Sequence, residues 1–129
     1  MNNLLGKYNY QDLPPEHQEN LGVLLNRIEQ VEKASGKNFV VTSGYRSMDD
    51  QIRIYKQKGI TDPTKIPIHS KHLTGSAVDI YDPTLTLTQW LKDNPEILES
   101  AQLWAEEGNK NWVHLQIFPP ASGARWFLP

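Results

Sequence analysis

Apolar residues recur at intervals of three and four along the first third of the chain, which is the spacing of a helix with one buried face. The predicted helix runs from about Pro15 to Ala34, because Pro14-Pro15 suit a first turn and Gly36 suits a helix end. The residues expected in the core are Leu21, Leu24, Leu25, Ile28 and Val31.

Shorter elements follow this helix. Residues 38–42 are rich in β-branched side chains and predict a buried strand. Ser47 and Asp50 have the spacing of a capping box, which predicts a helix that continues to about Lys58. Residues 76–81 alternate small or apolar with polar positions and predict a second strand. Residues 86–99 predict a helix that breaks near Pro95.

A hairpin is predicted near the end of the chain, with strands at 102–107 and 112–118 and a turn at 108–111. We expect an irregular loop at 60–69 and an extended tail at 119–129. Helices and strands do not alternate regularly. The pattern therefore favours one α+β domain over residues 1–129, with helices packed on a small antiparallel sheet.

Composition narrows the classes of partner and cofactor. The net charge of −2 and the absence of a basic block give no reason to expect nucleic acid. The chain has no cysteine, so any metal site must use histidine and carboxylate ligands. No apolar run is long enough for membrane insertion, and the N-terminus does not resemble a secretory signal. We expect a monomer that is synthesised in the cytoplasm.

The most informative stretch is Ser70-Lys-His-Leu-Thr-Gly-Ser-Ala-Val-Asp79, followed later by Trp112-Val-His114. His72, Asp79 and His114 provide two imidazoles and one carboxylate. Three such ligands leave one position of a tetrahedral Zn²⁺ open, which is typical of a catalytic site. Gly75 allows a sharp turn between His72 and the strand of Asp79, and the three ligands converge if that strand lies beside the strand of His114.

These two motifs resemble those of the M15 zinc peptidases, which include D-Ala-D-Ala carboxypeptidases, dipeptidases and phage endolysins and are related to the hedgehog signalling domain. Ser43-Gly-Tyr-Arg46 is a third matching segment, so the resemblance extends from Ser43 to Phe118. It implies the hedgehog-like peptidase fold and Zn²⁺ held by His72, Asp79 and His114.

The resemblance also implies roles around the metal. Arg46 is expected to face the substrate and to grip a peptide carboxylate through paired hydrogen bonds, and Ser70 is expected to support the site by hydrogen bonding. The implied substrate is the peptidoglycan stem peptide. The enzyme would be either a carboxypeptidase or an endolysin-type endopeptidase. The tail resembles phage-encoded members, so we expect action on the cell wall after release, in the host periplasm for a phage lysis enzyme.

The general base is left open by the sequence. Several M15 members carry a glutamate three residues before the last histidine, where this chain has Asn111, and an amide cannot take up a proton. Other members place the glutamate on the preceding strand, where Glu106 and Glu107 lie. The Leu-Trp-Ala-Glu pattern favours Glu106. A tight turn would place Glu107 on the face of His114 instead, and one additional loop residue would reverse this.

Two other hypotheses remain at this point. Asn111 is compatible with a non-catalytic zinc domain that has a structural or partner-binding role. Two histidines and a carboxylate also serve iron in oxygenases. Those oxygenases usually place a histidine and the carboxylate two residues apart on one strand, whereas His72 and Asp79 are seven apart.

Overall fold

The computed structural model describes residues 4–67 and 69–129. Its helices are α1 (Pro15–Ser35), α2 (Met48–Gln57), α3 (Thr86–Asp93) and α4 (Pro95–Ala101). Its strands are β1 (Val41–Ser43), β2 (Ala77–Asp82), β3 (Trp104–Glu106), β4 (Asn111–Gln116) and β5 (Trp126–Phe127). Short 3₁₀ helices occur at Tyr10–Asp12, Pro63–Lys65 and Lys71–Thr74. The predicted α+β class is confirmed.

The five strands form one sheet in the order β1-β2-β4-β3-β5. Neighbouring strands are antiparallel from β1 to β3, but β5 pairs with β3 in parallel. The prediction of a wholly antiparallel sheet is therefore wrong at one edge. The tail was expected to be merely extended, yet it returns to the sheet and adds this parallel strand.

One face of the sheet is covered by the core. Helix α1 begins with proline and ends at Gly36, which has φ of +72° and so adopts the left-handed conformation that glycine favours. Leu21, Leu24 and Ile28 of this helix belong to a buried cluster that also contains apolar side chains of the sheet and of α4. The cluster members from the sheet are Val78, Ile80, Ala105, Val113 and Leu115.

The opposite face of the sheet carries polar and aromatic side chains. Side chains alternate between faces along a strand, so the neighbours of the core residues point away from the core. In the register between β2 and β4, Asp79 lies opposite His114 and Tyr81 lies opposite Trp112. The candidate metal ligands Asp79 and His114 therefore lie on the same face of the sheet, away from the core.

The other predicted elements occur close to the expected positions. Ser47 caps α2 by accepting a hydrogen bond from the Asp50 backbone N–H, which confirms the capping prediction. The predicted helix at 86–99 is interrupted at Asn94, directly before Pro95. Strand β1 is shorter than predicted, since it begins only at Val41. Among the described residues, none of the helices is both long and apolar enough to span a membrane.

Candidate active site

His72, Asp79 and His114 lie together, and one potential ligand atom from each falls within 4.8 Å of the others. The distance from His114 Nδ1 to Asp79 Oδ1 is 2.9 Å, and the distance from His72 Nε2 to the same oxygen is 3.4 Å. The two imidazole rings have centroids 5.3 Å apart. These three side chains are 7%, 17% and 11% exposed for His72, Asp79 and His114, so the cluster is nearly enclosed but retains access to solvent.

Strand pairing brings two members of the cluster together, and a tight turn supplies the third. Asp79 on β2 is directly opposite His114 on β4. His72 belongs to the 3₁₀ helix Lys71–Thr74, which ends at Gly75 with φ of +77°. A Cβ at Gly75 would come within 2.8 Å of Leu21 Cγ. Larger residues are therefore disfavoured at this position both by the positive φ and by this close contact. The predicted sharp turn is present and directs His72 toward the sheet.

Each imidazole has a partner for the nitrogen that points away from the cluster. His72 Nδ1–H donates to the carbonyl of Gly44 at 2.9 Å. His114 Nε2–H donates to Gln116 Oε1 at 2.9 Å. The amide N–H of Gln116 donates to the Phe118 carbonyl, so the amide oxygen is the atom that faces His114 and accepts. These bonds orient both rings and direct His72 Nε2 and His114 Nδ1 toward Asp79.

Contacts within the cluster shift the pKa values of Asp79 and His114. Burial opposes the charge of Asp79, but hydrogen bonds from His114 and His72, together with their charges, outweigh burial and lower the pKa of Asp79 to about 2. Burial also disfavours protonated His114, yet its hydrogen bond to Asp79 and the charges of Asp79 and Glu106 give it a raised pKa. The site therefore holds an ionised carboxylate that attracts positive charge.

The donor set fits a divalent metal ion. Both nitrogens of His114 face acceptors, Asp79 Oδ1 and Gln116 Oε1, and the pairing with Asp79 favours the protonated ring when no metal is bound. A cation that binds His114 Nδ1, His72 Nε2 and Asp79 would take the place of the inner proton. Two imidazoles and a carboxylate suit zinc and also iron, so the chemistry of the ligands alone does not select the metal.

Arg46 lies beside the cluster and is held in place by its neighbours. Its guanidinium donates to Gln51 Oε1 at 2.7 Å and to Ser43 Oγ at 2.6 Å. Ser43 lies opposite Asp79 in the register between β1 and β2, so Arg46 is tied to the strand position next to the cluster. The backbone N–H of Arg46 also donates to the His72 carbonyl at 3.1 Å. A guanidinium has five N–H donors, so donors remain for a ligand carboxylate.

Gly44 allows this segment to approach the N-terminal part of the chain. A Cβ on Gly44 would fall only 2.1 Å from the backbone oxygen of Leu4, so any side chain would displace the segment. The next residue, Tyr45, donates its backbone N–H to the same oxygen at 2.9 Å. Glycine at this position thus keeps the carbonyl that receives the His72 hydrogen bond in place.

Ser70 contacts the backbone of His72 instead of its ring. Its hydroxyl accepts a hydrogen bond from the His72 N–H at 3.3 Å and caps the 3₁₀ helix. Ser70 thus supports the conformation of the turn from which His72 projects.

The two candidate glutamates face opposite sides of the sheet. Trp104 pairs with Gln116 and Ala105 with Leu115, and continuing this register places Glu106 beside His114. The negative charge of Glu106 contributes to the raised pKa of His114. Glu107 forms an ion pair of 2.8 Å with Lys92 of α3. The longer loop register considered from the sequence is the one that occurs.

Asn111 is remote from this arrangement. It lies opposite Asp82, three register positions from the pair formed by Asp79 and His114, and is exposed. Its φ is +73°, which belongs to the turn that starts β4. Asn111 therefore serves the hairpin, whereas the carboxylate beside His114 comes from β3.

Sequence reasoning missed three parts of the site. Gln116 orients His114, the Gly44 carbonyl orients His72, and Phe127 of β5 places its ring centroid 6.1 Å from that of His114. Gln116 had a signal, because it is two residues from His114 on the same strand face. Neither the Gly44 contact nor the return of β5 to the sheet is encoded in local spacing.

The sequence matches the family profile of VanY, described as D-alanyl-D-alanine carboxypeptidase, over residues 16–114 of the 129-residue chain. Searches of curated proteins and of solved structures gave no significant match. The matched region contains the three clustered side chains, Arg46 and Glu106, and peptidases of this family are generally metal-dependent. The chain therefore belongs to the VanY family of D-alanyl-D-alanine carboxypeptidases and is a peptidase of the type that acts on peptidoglycan.

Proposed function

We propose that this protein is a zinc-dependent carboxypeptidase that removes the terminal D-alanine from a peptidoglycan stem peptide. His72, Asp79 and His114 would hold the zinc ion. The observation that carries the proposal is the convergence of three ligand atoms within 4.8 Å on the face of the sheet that also carries Glu106. The hydrogen bonds from the outer nitrogens of both imidazoles support it, because such partners orient metal-binding histidines.

Zinc bound at these ligands would supply an acidified water molecule and would polarise the scissile carbonyl. Glu106 would accept the proton of the attacking water and deliver it to the amine of the departing D-alanine. Its place beside His114 suits this role, since a general base must lie within reach of the reacting atoms. Glu107 would not take part, because it is paired with Lys92.

Arg46 would orient the substrate by binding its C-terminal carboxylate. The hydrogen bonds from Arg46 to Gln51 and Ser43 fix the guanidinium before the substrate arrives. Gln51 is only 1% exposed and donates to the Pro67 carbonyl, so it provides a rigid support. A fixed cation reduces the entropy lost on substrate binding.

The release of a terminal residue is favoured over cleavage within the stem peptide because the family is that of D-alanyl-D-alanine carboxypeptidases. Endolysin-type cleavage is the alternative reaction at the same site. We further propose that the protein originates from a phage or prophage and acts on the cell wall after release. The tail provides the support for this origin through its resemblance to phage-encoded members.

Product analysis tests the reaction. Purified peptidoglycan is digested with zinc-loaded wild-type protein, and the products are identified by mass. Free D-alanine would support the carboxypeptidase, whereas split stems or cross-links would indicate an endopeptidase. No product at all from a protein that still binds zinc tightly would contradict both and would favour a non-catalytic zinc domain.

Matched variants test the base in the same assay. We expect Glu106→Gln to lower the rate by about 10²–10⁴-fold, because it removes a general base. Glu107→Gln carries the same chemical change on the neighbouring residue and should retain nearly the wild-type rate. Equal losses in the two variants, or full activity of Glu106→Gln, would contradict the assignment.

A further inference from the structure

Strand β5 lies outside the region that matches the family profile, which ends at residue 114. It consists of Trp126–Phe127 and pairs in parallel with β3, with Ala105 opposite Trp126 and Glu106 opposite Phe127. Backbone N–H groups of Ala105 and Glu107 donate to the carbonyls of Arg125 and Phe127 at 2.8 and 2.7 Å. The tail is thus joined to the strand that carries Glu106.

The pairing extends a row of side chains across the whole sheet. From β1 to β5 the row contains Ser43, Asp79, His114, Glu106 and Phe127. Phe127 is its last member, and its ring meets the ring of His114 edge to face at an interplanar angle of 88°. The row therefore ends in an apolar ring one strand beyond Glu106, at the edge of the sheet opposite Ser43 and Arg46.

Side chains beside Phe127 hold the strand in this position. Trp126 points to the other face, packs against the core and lies under the Lys92 ammonium, 4.9 Å from the ring centroid. Arg125 donates to the Leu103 carbonyl at 2.9 Å and lies over the Trp104 ring. Phe127 is thus carried by an anchored strand and is half-buried, which leaves part of its ring available for contact.

The direction of the substrate follows from the two ends of the row. If Arg46 binds the C-terminal carboxylate, the leaving residue occupies the β1 side of the clustered ligands. The peptide on the acyl side of the scissile bond must then pass Glu106 toward β5. The ring of Phe127 reaches back toward the clustered ligands, since its centroid is 6.1 Å from that of His114. The first side chain on the acyl side of the scissile bond is therefore the one that would meet it.

We propose that Phe127 is a specificity-determining residue that contacts the side chain on the acyl side of the scissile bond. This inference rests on the proposed carboxypeptidase function. In a peptide that ends in D-Ala-D-Ala, the acyl-side residue carries a methyl group. The ring of Phe127 offers that methyl an apolar contact near the clustered ligands, and it offers nothing comparable to glycine.

The test compares two synthetic stem pentapeptides that differ at one position. One ends in D-Ala-D-Ala and the other in Gly-D-Ala, so the acyl-side methyl is present or absent. The measured quantity is the ratio of the two kcat/KM values for D-alanine release. Burial of one methyl group corresponds to about a fourfold effect, so Phe127→Ala should lower the ratio by about fourfold. Phe127→Leu should keep most of the preference.

The ratio is insensitive to partial unfolding, because both peptides meet the same folded fraction of enzyme. Leu128→Ala is the matched control, since Leu128 is 82% exposed on the next residue of the tail, and it should leave the ratio unchanged. An unchanged ratio in Phe127→Ala would overturn the role of Phe127 while leaving the carboxypeptidase intact. Failure of the wild type to release D-alanine from either peptide would overturn both.

Discussion

At the scale of single residues, His114 is the side chain through which the groups of the site interact. Its two ring nitrogens face Asp79 and Gln116, and the charge of Glu106 adds to the field around it. A metal ion bound at this site would compete with a proton for the same nitrogen. That competition would give the metal-free and metal-loaded proteins different dependences on pH.

The first prediction concerns that pH dependence. The pKa of His114 is raised in the folded protein, so its pairing with Asp79 stabilises the metal-free fold below the unfolded value of about 6.5. That stabilisation is lost as pH rises through the folded pKa, whereas Asp79, with a pKa of about 2, stays ionised throughout. Zinc should bind more strongly as pH rises over the same range, because fewer protons would compete for His114.

We therefore expect the rise in melting temperature on zinc addition to grow between pH 6 and pH 8. Thermal unfolding with and without zinc at each pH measures it. The Asp79→Asn variant should show little zinc-induced rise at any pH. A rise in the wild type that is constant across the range would contradict the assigned competition.

The second prediction concerns Gln116, which accepts the outer N–H of His114. Gln116→Leu should weaken zinc binding by about 10–100-fold, because partners of this kind orient the ligand and increase its basicity. Gln89→Leu is the control, since Gln89 is exposed on α3 and its side chain donates to Asp93, away from the cluster. Competition with a chromophoric chelator measures both affinities, and equal affinities would show that Gln116 is dispensable.

The sequence predicted which residues meet but not which hydrogen bonds orient them. The convergence of His72, Asp79 and His114 followed from one motif and the pairing of two strands. The choice between Glu106 and Glu107 depended on the length of the hairpin loop, because a shift of one residue exchanges the faces of a strand. Local sequence does not determine that shift, so only the three-dimensional register separates the two glutamates.

At the scale of elements, the site depends on the contact between the 3₁₀ helix Lys71–Thr74 and the segment after β1. His72 both donates to the Gly44 carbonyl through its ring and accepts from the Arg46 N–H through its backbone. Residues 44–46, which are distant from His72 in sequence, thus hold both its ring and its backbone. The turn at Gly75 connects this contact to β2.

The third prediction compares two glycines. Gly75→Ala should destabilise the fold by about 2–4 kcal/mol, because alanine disfavours the left-handed φ and its Cβ would press on Leu21 and on the His17 carbonyl. Gly22→Ala should stabilise it by roughly 0.5–1 kcal/mol, since Gly22 lies on the exposed side of α1 with open space around it. Urea unfolding measures the free energies, and a neutral Gly75→Ala would refute the steric argument.

Elements with strong local signals were predictable, and the others were not. Helix α1 had a regular apolar face, prolines at its start and glycine at its end, and its observed bounds differ from the prediction by one residue at Ser35. Strand β5 is two residues long and follows a stretch with prolines and a glycine, so its sequence resembles a loop. Its position depends on hydrogen bonds to β3, which are tertiary.

At the scale of the whole molecule, one face of the sheet packs in the core and the other carries the candidate site. The face with Val78 and Leu115 belongs to the core, while the other face presents a row from Ser43 to Phe127 that crosses all the strands. The α+β class was predictable from the mixture of elements. The strand order was not, because it places the last strand of the chain beside β3 and leaves the first at the opposite edge.

We propose that one zinc ion at His72, Asp79 and His114 makes this chain a D-alanine-releasing peptidase. The most direct measurement is to titrate metal-stripped protein with zinc while recording D-alanine release from a stem pentapeptide. We expect the rate to rise from near zero and to reach a plateau at one zinc ion per chain. Full activity without zinc, or no activity with one zinc ion bound, would contradict it.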